Sequence, residues 1–151
     1  MSDTPANYVR FQRANFVVTD IDRALTFYRD VLGLELDFIK DSPDVSYSYD
    51  VFEIDRSQPI RFAVLSSPSQ VRVLALTEIG GAELEPVPDP RRSAIVLEVS
   101  DVDGVVAGAE GAGCRVYREE KLITHDGRVG REVGIVDHDG NLTVIYHIPA
   151  G

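Results

Sequence analysis

The pentapeptide VTDID at Val18–Asp22 returns as VSDVD at Val99–Asp103, and GLEL at Gly33–Leu36 returns as GCRV at Gly113–Val116. Two copies of one supersecondary unit are therefore expected, and the first copy shows what that unit is. Asn15–Val18 is a short β-branched and aromatic run suited to a strand. Thr19 and Asp20 follow with side-chain oxygens of the kind that cap a helix. Ile21, Ala24, Leu25, Tyr28, Val31 and Leu32 then recur at steps of three and four, which makes one apolar stripe of an amphipathic helix running to Leu32. Gly33 accepts the left-handed backbone of a helix end, and Leu34–Leu36 alternates as a strand. In the second copy Val102, Val105, Val106, Ala109 and Ala112 rebuild the stripe. Gly104 and Gly108 interrupt it at roughly 1 kcal/mol each relative to alanine, so tertiary packing must hold that helix.

The remaining segments complete the two units. Tyr8–Val18, Leu34–Lys40, Val45–Ile54, Ile60–Leu65 and Val71–Thr77 read as strands, separated by the turn clusters at Asp41–Asp44, Arg56–Pro59 and Ser66–Ser69. The alternation of Val45–Ile54 puts Tyr47, Tyr49 and Val51 on one face and Phe52 and Ile54 on the other, beneath the helix. Residues 8–79 thus form a βαβββ module. Residues 80–92, GGAELEPVPDPRR, carry three prolines and two glycines and read as a linker. Residues 93–149 form the second module: strands at Ser93–Val99, Cys114–Arg118, Glu132–Val136 and Asn141–Ile148, a helix at Val102–Ala112, and Asp-Gly turns at Asp126-Gly127 and Asp139-Gly140. The expected class is α+β, with residues 1–151 forming one domain of two tandem modules.

Hydrophobic residues make up 44% of the chain, enough for a core of ordinary size. A net charge of −10 argues against nucleic acid and anionic membranes as partners. Cys114 is the single cysteine, which excludes an intrachain disulfide. No apolar run has spanning length, and the N-terminal residues lack a signal-peptide core, so a cytoplasmic location is expected.

VTDIDRALTFYRDVLGLEL, its echo EVSDVDGVVAGAEGAGCRV, and the ending IVDHDGNLTVIYH resemble the glyoxalase, bleomycin-resistance and extradiol dioxygenase superfamily, the vicinal oxygen chelate proteins. The resemblance covers nearly the whole chain. It implies that the paired modules curve into a half-open, barrel-like mixed sheet with the helices outside, often within a homodimer. It also implies four side chains on the concave face that hold a divalent cation with open positions for substrate oxygens. The first such ligand stands five residues before the valine preceding the helix cap, which here is Arg13, and its counterpart in the second module is Ala94. The two carboxylate positions fall at Ala75 and Val144. None of the four is a usual ligand, so no metal and no cofactor is expected.

Strand parity extends this face to Asn15, Val17, Val73, Thr77, Val96, Glu98, Leu142 and Tyr146, with Tyr47 and Tyr49 added from the third strand. The expectation is an apolar bowl for a small-molecule ligand, aromatic or anionic, touched by Arg13, Asn15, Tyr47, Tyr49, Thr77, Glu98 and Tyr146. Arg13 suits a guanidinium fork for an anionic ligand group, or equally an internal ion pair with Glu98. Glu98 is the candidate general base of an alternative reading, an enzyme that has replaced metal chemistry by acid–base chemistry. The resemblance implies lyase, isomerase or dioxygenase-like activity in that case, or a metal held by residues in another register.

Overall fold

A computed structural model describes residues 7–150. The first half contains β1 (Ala14–Val18), α1 (Ile21–Tyr28), β2 (Glu35–Asp41), a one-turn helix α2 (Ser48–Val51), β3 (Ile60–Ser67) and β4 (Gln70–Ile79). Its sheet runs β1-β4-β3-β2, with β1 parallel to β4 and the other pairs antiparallel. The second half contains β5 (Ile95–Glu98), α3 (Val102–Gly111), β6 (Arg115–Val116), β7 (Glu120–Ile123), β8 (Val129–Val136) and β9 (Leu142–His147). Its sheet runs β5-β9-β8-β6, with β7 also on β8 and β5 parallel to β9. Both sheets are open, and the repeat in the sequence is a repeat in topology. No helix among the described residues is long and apolar enough to cross a membrane.

Helices α1 and α3 each start where an aspartate stands. The Asp20 carboxylate accepts from Arg23 N at 3.1 Å and that of Asp101 from Gly104 N at 3.0 Å. Glu78 on β4 accepts from Ile21 N at 2.7 Å and also pairs with Arg61 on β3, placing a second negative charge at the positive end of α1. The α-helical part of α1 stops at Tyr28, before the expected Leu32. Asp30 N and Leu32 N reach back five residues to Leu25 O and Phe27 O, so the last turns widen before Gly33 closes them at φ +82°.

One apolar cluster draws on both halves. Phe16, Val18, Leu25, Phe27, Leu65 and Leu76 meet Val102, Val105, Ala109, Ile135 and Ile145, so both helices and one face of each sheet share a core. The turn Asp137–Asn141 ties the halves by polar contacts. Asp137 is buried yet accepts from Tyr28 OH at 2.7 Å, from the backbone N–H groups of Asp139 and Asn141, and from Asn141 Nδ2. Asn141 Nδ2 also donates to Val17 O at 3.0 Å, and Thr19 Oγ1 donates to Asp139.

Two expected strands are corrected. Tyr8–Arg13 lies outside β1 as irregular chain, and Val45–Ile54 is a turn followed by α2. Local bonds displace a sheet ladder in the second segment: Ser46 N donates to Pro43 O, Tyr49 N to Ser46 O, and Ser48 N to the Ser46 hydroxyl. Phe52 and Ile54 consequently do not lie beneath α1. Ile54 packs with Tyr49, Ile60, Ile79 and Val17 on the opposite face of the first sheet. The connection expected at Lys121–Gly130 is a hairpin of β7 and β8 about Gly127, whose φ is +85°.

Candidate functional site

β1 and β5 are the edge strands nearest the junction of the halves, and each is hydrogen-bonded on one side only. Between them runs a cleft of about 1070 Å³. Its first wall is Phe11, Asn15, Val17, Phe52 and Val73, and its second is Ala94, Val96 and Glu98, with Asn141 at the joint. Parity explains the composition. Phe16 and Val18 turn into the core, so Asn15 and Val17 turn to the other face of the same strand. Val96 is 62% exposed, an isolated apolar side chain standing in the cleft. The polar groups are the Asn15 amide, which accepts from Thr77 Oγ1 at 2.9 Å, the Glu98 carboxylate, Gln70, Asn141, and the hydroxyls of Ser67, Ser69 and Ser93. A smaller cavity of about 450 Å³ adjoins it, with Val17, Phe52 and Asn141 common to both.

The expected site residues separate into groups. Asn15, Glu98 and Ala94 line the cleft. Thr77 is buried beneath Asn15, and Tyr146 is half-buried on β9 opposite Glu98. Arg13 is exposed just before β1 and has no ion pair with Glu98 among the described residues. Tyr47 is 73% exposed beside α2, whereas Tyr49 is buried and donates its hydroxyl to Gln58 O at 2.7 Å. Neither stands on a strand, and neither lines the cleft. Phe52 is the aromatic residue of that segment that does, and reading the segment as a strand had sent it to the opposite face.

The metal implied by the resemblance does not fit these residues. Ala75 lies buried on β4 opposite Asn15, Val144 lies on β9 opposite Val96, and Ala94 stands in the cleft, all without a donor atom in the side chain. Arg13, at the fourth position, is a cation. Among the described residues no group of three or more His, Cys, Asp or Glu side chains is placed to hold a metal ion. Cys114 is no thiolate either: burial, with the Asp137 charge second, pushes its thiol up to about 11.

The topology has close counterparts. A glyoxalase family protein from Bacillus cereus superposes with a TM-score of 0.72 at 17% identity, over 99% of each chain. A glyoxylase/bleomycin resistance protein/dioxygenase domain from Frankia sp. EAN1pec gives 0.67 at 15%, over 95% of this chain and 100% of that one. The trypanothione-dependent glyoxalase I of Leishmania major gives 0.63 at 21%, over 93% and 87%. At these identities the likeness is one of fold. No curated protein matches the chain in sequence. The model of the Glyoxalase/Bleomycin resistance protein/Dioxygenase superfamily matches residues 10–145, nearly the whole repeat-bearing length, and the chain belongs to that superfamily.

Proposed function

We propose that the protein binds a small, largely apolar organic molecule in the cleft between β1 and β5, without a chelated metal ion. The observation that carries this reading is the set Arg13, Ala75, Ala94 and Val144 at the metal-ligand positions of the superfamily, beside a cleft whose volume of about 1070 Å³ suits a drug-sized ligand. Phe11, Val17, Phe52 and Val96 supply apolar contact, while Asn15 and Glu98 fix orientation. The neutral dye N-phenyl-1-naphthylamine, titrated into chelator-treated protein, should bind saturably with enhanced fluorescence. Val96→Arg should abolish that binding without unfolding the chain, because Val96 is already exposed. No saturable binding, or binding indifferent to Val96→Arg, would count against the cleft. Glu98 in the cleft supports acid–base catalysis as the second reading, which requires turnover in chelator that Glu98→Gln removes.

A further inference from the structure

The helix-distal face of the second sheet carries a cluster that the cleft does not use. In β6, Arg115 stands opposite Val136, and Tyr117 N donates to Gly134 O at 2.9 Å. Gly134 in turn stands opposite Val144, so Arg115 and Tyr117 share the face of that metal-ligand position. Gly134 has no side chain, and a Cβ placed there would lie 3.4 Å from Tyr117 Cδ2, so the phenol lies over the glycine. Arg91 arrives from the segment joining the two halves and donates from Nη1 to Tyr117 OH at 3.0 Å. Its guanidinium carbon is 6.0 Å from the ring centroid, and that of Arg115 is 4.5 Å from the same centroid.

We propose that Arg91, Arg115 and Tyr117 form an oxyanion site that takes the carboxylate or phosphate group of a small anionic ligand. Among the described residues seven arginines find a carboxylate within 4.0 Å, whereas Arg10, Arg13, Arg72, Arg91, Arg92 and Arg115 find none, and of these only Arg91 and Arg115 meet at one side chain. Arg91 and Arg115 both stand at one ring, their guanidinium carbons 6.0 and 4.5 Å from its centroid. Two guanidinium groups held at one phenol repel each other, and an anion bound beside them offsets that repulsion. The Nε–H of Arg91 is sealed from solvent with no acceptor, so its guanidinium is held by one hydrogen bond and keeps unused donors. Planar guanidinium forks match carboxylate and phosphate oxygens. A role limited to pinning the connecting segment would need only Arg91 and Tyr117, and does not account for the Arg115 guanidinium 4.5 Å from the same ring centroid.

This site stands independently of the seam cleft. Inorganic phosphate and benzoate are titrated in parallel into ¹⁵N-labelled protein, following the Nε–H resonances of Arg91 and Arg115 and the backbone amide of Tyr117. Saturating shifts at these groups with either anion are expected, and the tighter one identifies the head group. Arg115→Ala should weaken binding by about tenfold or more, leave the anion-free melting temperature unchanged, and leave N-phenyl-1-naphthylamine binding at the seam intact. Arg91→Lys, which keeps the charge but not the fork, should weaken it also. Shifts that do not saturate, or equal affinity in wild type and Arg115→Ala, would overturn the proposal.

Discussion

Tyr28 reaches out of the first helix to a buried carboxylate supplied by the other half of the chain, donating to Asp137 at 2.7 Å. Burial, then the charge of Asp137, raises its phenol well above the ordinary tyrosine range, so it stays a donor at any working pH. Asp137 has no ion pair among the described residues and accepts four hydrogen bonds, which is how a buried carboxyl group remains tolerable. Tyr28→Phe keeps the aromatic packing against Phe27 at 4.9 Å but removes one of the four donors. It should cost about 2 kcal/mol in urea unfolding, and a loss below about 0.5 kcal/mol would show that water replaces the hydroxyl at no penalty. The helical stripe placed Tyr28 in the core from the sequence alone. Its partner, 109 positions away, could not be read there, because periodicity reports which face is buried and not what the buried hydroxyl meets.

The two helices show how far local pattern carries at the level of elements. Their aspartate caps sit where the repeat puts them, because capping is a contact within one turn. The glycines of α3 read as weaknesses, and the packing gives each a reason. A Cβ on Gly104 would run into the carboxylate of Asp101 that caps the helix, and one on Gly108 would come within 2.9 Å of Val31 in the first half. Gly108→Ala should therefore destabilise the protein, despite a gain of about 1 kcal/mol in helix propensity, because overpacking against a short branched side chain costs about 1–3 kcal/mol. A higher midpoint in thermal unfolding would mean that Val31 yields freely. The segment Val45–Ile54 is the opposite lesson. Its alternation suits a strand, but local backbone bonds and the Ser46 hydroxyl, which accepts from Ser48 N, make it a turn and a helical turn, and the faces of Tyr49 and Phe52 were assigned wrongly in consequence.

At the scale of the whole molecule, the α+β class with two open mixed sheets was legible because the repeat and strand parity act over short distances along the chain. The seam was not, since no local pattern tells that two edge strands stand apart and leave a cleft. The cluster of Arg91, Arg115 and Tyr117 was not legible for the same reason: it exists only once β6 is registered on β8 and the connecting segment passes beside it. The proposed metal-free reading rests on Arg13, Ala75, Ala94 and Val144 standing where the superfamily resemblance implies donor side chains. The most direct test is metal content of protein purified without chelators, together with cobalt and manganese titration read by thermal shift. The account predicts no stoichiometric metal and no change in melting temperature. One tightly bound divalent ion per chain, with a melting temperature that rises on loading, would contradict it.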